Sequence, residues 1–291
     1  MGDSKDCGGW SNHMIMVEAP NQRFPKAIVQ RFPIGAYVLL TYGTSWTGAL
    51  IVAAPYLLRH ASIPKMTGII MFPVMLLGPS LACIVLTWIG DGRNGLKDLF
   101  SRMRRARIPG AWYSTLLIPP GLVLIVLLGL ESFVSPIYAP NTFLIGILFG
   151  LAAGFFEEIG WMGYAFPKLC SKYSALSSGV LLGLLWGVWH LPVIDYLGTA
   201  TPHGSSWFAY FLTFCAAMGA MRVLIGWAYA NTTSVLLAQL MHISSTGALV
   251  VLSPTRVTPA QEALWYGVYA VVLWIVVAVV TAVSGKDLKY R

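Results

Sequence analysis

Residues 263–284 read ALWYGVYAVVLWIVVAVVTAVS, a stretch without one charged side chain. A helix of this length covers about 30 Å, the thickness of the hydrocarbon core of a bilayer. Apolar residues follow one another without the polar alternation of a transmembrane β-strand, so a β-barrel is not indicated. The stretch therefore predicts a transmembrane helix.

Similar apolar runs recur along the whole chain of 291 residues. Hydrophobic residues make up 57% of the chain and charged residues 10%, whereas soluble domains contain about 25% charged residues. Because lipid offers the backbone no hydrogen-bond partners, such runs form helices. We predict an all-α polytopic membrane helix bundle with about eight transmembrane helices. Their predicted bounds are residues 34–58, 66–89, 112–133, 141–165, 175–197, 207–229, 233–252 and 263–284.

The distribution of basic residues predicts the orientation of these spans. Of the 19 Lys and Arg residues, fifteen fall in segments on the N-terminal side of the membrane and three on the other side. By the positive-inside tendency, both termini are predicted to be cytoplasmic. Residues 1–33 are rich in charge and lack the apolar core of a signal peptide. We interpret residues 1–33 as a cytoplasmic tail and residues 34–291 as one transmembrane domain.

The net charge of +8 does not indicate a nucleic-acid partner, because the cations lie between apolar runs and not along an aromatic-rich soluble face. One loop, Gly90–Pro109, intersperses its cations with apolar residues, namely Leu96, Leu99, Phe100 and Met103. This pattern predicts a short amphipathic helix on the inner leaflet, with anionic membrane lipid as its partner. A role in topology alone is the alternative interpretation.

Two adjacent acids lie in the fourth predicted span, within FFEEIGWMGYAFPKL at residues 155–169. An ionisable group inside the bilayer is costly, so these acids indicate a functional site. Glu157 and Glu158 lie roughly 100° apart around a helix and cannot both face one partner. We predict that one faces a polar cavity and the other a neighbouring helix.

Two histidines lie in other spans. In WGVWHLP, residues 186–192, Trp186 and His190 are one helical turn apart. In LLAQLMHISSTGALV, residues 236–250, His242 and Thr246 have the same spacing. A lone membrane histidine often serves only as a hydrogen-bond donor between helices. Together with the acids, however, the histidines predict a converging site contributed by three helices.

These segments, in this order and on separate spans, resemble the CAAX prenyl protease and bacteriocin-processing family of intramembrane proteases, abbreviated CPBP and also called ABI. The resemblance extends over about residues 140–250. The family's motifs are EExxxR, FxxxH and a histidine followed four residues later by Asn or Asp. The matching residues are Glu157, Glu158, His190 and His242, and the departures are Met162 for Arg, Trp186 for Phe and Thr246 for Asn or Asp.

The resemblance implies hydrolysis of peptide bonds in a membrane-associated peptide or protein substrate. By this resemblance, Glu157 and His190 activate water, while His242 and Thr246 stabilise the oxyanion. Glu158 belongs to the same catalytic group of residues. Trp186 and Trp161 are expected to line the substrate cavity. The resemblance also places the chain in the bacterial plasma membrane as a multi-pass protein.

The absence of the motif arginine has a specific structural consequence. Met162 cannot pair with Glu158 from one turn away, and an unpaired acid in the bilayer is costly. Arg222, in the sixth predicted span, is the only Lys or Arg that falls within the predicted spans beside the acids. We therefore predict an ion pair between Glu158 and Arg222.

Other interpretations of the same residues stay open. Glu157, His190 and His242 also supply the donor types of a three-ligand catalytic zinc site, although a metal-free site is favoured. A non-catalytic membrane scaffold or bacteriocin-immunity protein could be built on the same helices. A proton-coupled transporter would use the acids and histidines as a relay, but the two halves of the chain lack corresponding broken helices.

Overall fold

The structure is a computed structural model that describes residues 20–61, 63–196 and 203–290. Throughout these ranges the regular elements are helical and no strand occurs. The chain is thus an all-α polytopic membrane helix bundle, as predicted. Its α-helices are α1 (Pro20–Arg31), α2 (Pro33–Leu57), α3 (Lys65–Met103), α4 (Ile118–Phe133), α5 (Gly146–Gly160), α6 (Phe166–Cys170), α7 (Ala175–Trp189), α8 (Trp207–Thr232), α9 (Val235–Leu252) and α10 (Pro259–Ser284).

Six helical segments in the described part are long and apolar enough to cross a bilayer. They are Pro33–Leu57, Ile70–Met103, Gly110–Phe133, Gly204–Thr232, Val235–Leu252 and Pro259–Ser284. The other two predicted spans are each interrupted by a π-helical turn. One turn, Trp161–Ala165, joins α5 to α6, and the other, Pro192–Tyr196, follows α7. These two segments match predicted spans in position, but neither contains an unbroken helix of full spanning length.

The first π turn has an identifiable cause in the sequence. Pro167 has no backbone N–H, so the carbonyl of Gly163 loses the donor that it would have in a regular helix. Arg102, at the end of α3, replaces this donor, because its Nη2 lies 3.0 Å from Gly163 O. The turn begins three residues after Glu158, and it therefore sets the path of the helix directly beside the two acids.

Close packing of α5 against α9 depends on three glycines spaced four residues apart. A Cβ atom would lie 2.7 Å from Val251 N at Gly146 and 2.6 Å from backbone oxygens of α9 at both Gly150 and Gly154. Only glycine allows the two backbones to approach so closely. Glu158 is the next position in the same four-residue register, so it also faces α9.

Helix α7 packs on α8 in a similar way. A Cβ atom at Gly183 would lie 2.5 Å from the Cα atom of Gly219 and 3.2 Å from the Cβ atom of Arg222. One turn further along α7, a Cβ atom at Gly187 would lie 2.8 Å from the sulfur of Cys215. Two tightly packed helix pairs, α5 with α9 and α7 with α8, therefore enclose the candidate site.

Part of the predicted N-terminal tail is ordered helix. Residues 1–19 lie outside the described residues, whereas Pro20–Arg31 forms α1. Val29 is buried, and Gln30 Nε2 donates to the carbonyl oxygen of Gly90 at 3.4 Å. The end of the predicted tail therefore packs against the membrane domain.

The predicted amphipathic helix is present as the last part of α3, after a break at Gly92, where φ is 63° and ψ is −152°. Its apolar face was expected to lie on lipid, and this is wrong for most of its residues. Leu99 is buried, and Leu96 and Met103 pack against the bundle core, while Phe100 is 42% exposed. A periodic apolar stripe does not reveal whether lipid or protein covers it.

The basic segments of the chain meet at one end of the bundle. Lys168 Nζ lies 3.3 Å from Asp91 Oδ2, and the backbone N–H of Leu176 donates to Lys286 O at 2.9 Å. Arg105 also donates to the hydroxyl group of Thr233. The segments after α3, α6, α8 and α10 therefore share one side, as an even number of spans requires.

We expect this basic end to face the cytoplasm. The four native cysteines would be replaced, and one cysteine would be introduced at residue 291. This cysteine should react with a membrane-impermeant maleimide only after the cells are opened, because the cations disfavour translocation. A cysteine at Leu58, between α2 and α3, should react in intact cells. Labelling of residue 291 from outside intact cells would refute the orientation.

Candidate active site

An ion pair and a histidine meet at Glu158 in the interior of the bundle. Arg222 Nη1 lies 2.6 Å from Oε1 and 2.8 Å from Oε2 of Glu158. His242 Nδ1 lies 2.6 Å from the same Oε1. All three side chains are at most 1% exposed. This is the pair predicted from the departure at Met162, with α8 supplying the cation that the motif places one turn along α5.

Glu157 faces a different helix. The indole N–H of Trp186, on α7, donates to Glu157 Oε2 at 2.6 Å. The second oxygen, Oε1, is buried and has no hydrogen-bond partner among the described residues. The two acids thus point to separate neighbours, as their angular separation around the helix predicted. Oε1 of Glu157 can therefore accept a hydrogen bond from a further ligand.

Trp186 also contacts Arg222 and both histidines of the site. The guanidinium carbon of Arg222 lies 4.1 Å from the centre of its indole ring. His190 and His242 pack edge-on against the same ring, at centroid distances of 5.3 and 5.0 Å. Sequence reasoning assigned Trp186 to the cavity wall and missed its bond to Glu157. The sequence did contain a sign of this bond. Trp186 replaces the phenylalanine of the family motif, and tryptophan adds an N–H donor that phenylalanine lacks.

His190 is held in one tautomer. Its Nδ1 lies 2.7 Å from the carbonyl oxygen of Trp186, which can only accept, so Nδ1 carries the proton. In the neutral ring, Nε2 is then an acceptor, and it has no hydrogen-bond partner among the described residues. Trp189 and Phe214 pack edge-on against the imidazole at 4.9 and 5.3 Å. His190 is therefore oriented to accept a proton at Nε2.

His242 has a different partner and can play a different part. Its Nδ1 lies 2.6 Å from Oε1 of Glu158, and the ionised carboxylate can only accept, so Nδ1 carries a proton. In the doubly protonated state, Nε2 is a donor. This arrangement suits stabilisation of a negative charge that develops beside α9.

Thr246 follows His242 by one turn of α9 and is partly exposed. No hydrogen bond joins its hydroxyl group to the described part of the chain. A hydroxyl group without a partner can donate to a ligand that reaches this face of α9. The structure thus leaves the predicted role of Thr246 open to experiment.

Trp161, the second residue predicted to line a substrate cavity, is fully buried. Its ring contacts those of Tyr37 and Trp189 at centroid distances of 5.3 and 6.1 Å. Its connection to His190 runs through Trp189 and not by direct ring contact. The structure therefore places Trp161 behind the histidine, and its role toward substrate stays a prediction.

A metal site is not preformed in the described residues. No group of three His, Cys, Asp or Glu side chains within them is arranged to hold a metal ion. One ring nitrogen of each histidine is already committed, to a carbonyl oxygen in His190 and to a carboxylate in His242. Nε2 of each histidine stays available, as is usual in histidines that bind metals, so zinc held by Glu157, His190 and His242 stays an untested alternative.

Arg102 connects the amphipathic end of α3 to this site, and sequence reasoning missed it. Besides its contact with Gly163 O, its Nη1 lies 2.7 Å from the hydroxyl group of Tyr229. Tyr229 lies two turns after Arg222 on α8. The signal was Pro167, which leaves the carbonyl four residues earlier without a backbone donor.

Two comparisons with known proteins point to the same family of proteases. The model of the family described as "Type II CAAX prenyl endopeptidase Rce1-like" matches residues 139–247, which include all the candidate catalytic residues. The CAAX prenyl protease 2 of Methanococcus maripaludis is 28% identical over 223 residues, which cover 70% of this chain and 78% of that protein. The chain is therefore similar to the CPBP family over this region.

These two matches confirm the resemblance drawn from the motifs and support a hydrolase of the protease class. The ion pair of Glu158 can also be compared with the family motif. The EExxxR pattern supplies a cation one turn after the second glutamate, whereas this chain supplies it as Arg222 from α8. The carboxylate keeps its cation, although the side chain comes from another helix.

Proposed function

We propose that this chain is an intramembrane endopeptidase that cleaves a membrane-associated peptide or protein. The observation that supports this most directly is a pair of acceptors that have no partner within the described ranges, Glu157 Oε1 and His190 Nε2. A scaffold needs only satisfied polar groups in its interior. Acceptors kept for a further ligand are instead what activation of a water molecule requires.

Water activation would proceed between Glu157 and His190. Both side chains are positioned by Trp186, one through its indole N–H and the other through its carbonyl oxygen. A water molecule donates one hydrogen bond to each of these acceptors, and its oxygen attacks the carbonyl carbon of the scissile bond. The proton it loses passes to one of them and then to the amine that leaves.

Oxyanion stabilisation would come from α9. The carbonyl oxygen gains negative charge as the water attacks, and a protonated His242 beside it would lower the barrier. Glu158 and Arg222 hold the ring in place and do not themselves touch the substrate. The hydroxyl group of Thr246 would be the second donor. The name of the archaeal relative refers to a prenylated substrate, but the wider class proposed here is a membrane-associated peptide or protein.

The test is cleavage of a membrane-embedded reporter peptide by the purified chain in liposomes. Mass spectrometry should find two fragments, and in isotopically labelled water the new carboxyl group should contain the label. Activity should persist after chelation and dialysis. Stoichiometric zinc, with activity restored only by adding it back, would overturn the metal-free mechanism. The absence of fragments across a peptide panel would favour the scaffold interpretation.

Thr246 offers a graded test of the oxyanion role. Loss of one oxyanion donor typically costs about 2.7–4 kcal/mol of transition-state stabilisation. Thr246→Val keeps the shape of the side chain, so it should lower kcat roughly a hundredfold or more with little change in KM. Thr246→Asn, which restores the family pattern, should retain or raise activity. Unchanged kcat in Thr246→Val would remove the hydroxyl group from the mechanism.

A further inference from the structure

A groove of about 770 Å³ lies where α3 ends. Four cations line it, namely Lys97, Arg104, Arg105 and Arg107. Phe100 and Ser101 also belong to its lining. No acidic side chain from the described part of the chain lines it. Asp98, within this stretch of sequence, is engaged by Arg102 at 2.8 Å. The groove therefore concentrates positive charge without compensation and selects for an anion.

The wall of the groove is held in shape by neighbouring elements. Ser234 Oγ donates to the carbonyl oxygen of Arg105 at 2.6 Å, and the hydroxyl group of Tyr113 donates to that of Ala106 at 2.8 Å. Arg105 itself donates to Thr233, which fixes one guanidinium group. The backbone of this segment is thus tied to α9 and to the turn before α4, so the cations form a defined surface.

The depth of the groove points to a lipid. One candidate span ends at Met103 and the next begins at Gly110, so the segment between them lies at the end of two membrane crossings. Phosphate groups of phospholipids lie at this level. Phe100, on the same lining, is 42% exposed and offers an apolar surface beside the cations. A free phosphate ion has no apolar part that could pack against the Phe100 ring.

We propose that this groove is a binding site for the phosphate headgroup of an anionic phospholipid. Arg104 and Arg107 bind the phosphate oxygens through their planar guanidinium groups, and Lys97 adds a point charge. The glycerol and first acyl carbons lie against Phe100. The site is separate from Glu157 and the two histidines, and its existence does not depend on the protease assignment.

The experiment uses the full chain purified in detergent and measures retained lipid by native mass spectrometry. Phosphatidylglycerol should be retained at least about tenfold better than phosphatidylcholine. The variant Lys97→Gln/Arg104→Gln/Arg107→Gln should lose this preference by about tenfold or more. A matched variant, Arg93→Gln/Lys172→Gln/Lys286→Gln, removes the same charge from exposed positions at the same end and should lose less than about twofold. Equal losses in the two variants would overturn the proposal.

Two further arms distinguish the lipid from other anions. Inorganic phosphate and an acidic peptide, each added at millimolar concentration, should leave most of the phosphatidylglycerol bound, and displacement by either would assign the groove to that ligand. Phe100→Ser keeps every cation and should weaken lipid retention severalfold without changing the response to phosphate. If the triple variant does not fold, the single variants Arg104→Gln and Arg107→Gln should each show a partial loss. Full retention in both single variants and in Phe100→Ser would contradict the site.

Discussion

Glu157→Ala should abolish peptide cleavage in the reconstituted assay, with kcat lower by roughly 10²–10⁴-fold, the range of a positioned general base. The carboxylate is held at one oxygen by Trp186 and has its other oxygen without a partner. Alanine removes the base and leaves the indole N–H unpaired. Glu157→Gln should be almost as damaging, because the amide keeps the shape but cannot take a proton from water.

His190→Ala should have an effect of similar size, since the ring supplies the second acceptor. The matched comparison is Trp186→Phe, which restores the family pattern, removes the N–H bond to Glu157 and leaves a smaller ring beside Arg222 and the histidines. This variant should retain measurable turnover at a lower kcat, because the base is still present but less well positioned. Full turnover by both Glu157→Ala and His190→Ala would remove the protease assignment and leave the scaffold interpretation.

Arg222→Leu should strongly destabilise the bundle. It leaves the buried carboxylate of Glu158 with His242 alone, and removal of one partner from a buried ion pair typically costs about 3–5 kcal/mol. The cation on the face of Trp186 is lost as well. A large fall in the thermal unfolding midpoint in detergent should accompany loss of cleavage.

The rescue of Arg222→Leu distinguishes the ion pair from simple packing. Adding Met162→Arg returns a cation one turn after Glu158 and recreates the family motif, so part of the lost stability and activity should return. Met162→Leu in the same background is the control and should restore nothing. An unchanged unfolding midpoint in Arg222→Leu would refute the importance of the pair, whatever the effect on catalysis.

Sequence reasoning predicted the spans and the pairing of Glu158 because both follow from strong energetic constraints. Apolar runs have few alternatives to a transmembrane helix, and an acid in the bilayer requires a cation. With Met162 in the motif position, Arg222 was the remaining choice among the predicted spans. The glycines at 146, 150 and 154 add a reason that α5 and α9 meet, because their close approach places position 158 on the same face.

Contacts that depend on the relative rotation of helices could not be predicted in the same way. The position of Trp186 along α7 does not say whether its N–H faces lipid, a carbonyl group or Glu157. Likewise, the apolar stripe on the end of α3 looks the same whether it covers lipid or the bundle core. Arg102 binds Gly163 O because of Pro167, an interaction that becomes visible only once α3 is known to pass beside that turn.

The buried position of Arg222 also bears on biogenesis. An arginine at the centre of a helix that enters the membrane alone costs about 2.5–3.5 kcal/mol during insertion by the translocon. Helix α5 is synthesised before α8, so Glu158 is already present when Arg222 arrives, while His242 follows on α9. Insertion of α8 should therefore depend on α5. Glycosylation mapping of nascent chains truncated after α8 should show lower insertion with Glu158→Gln, and equal insertion would indicate that α8 enters the membrane without this partner.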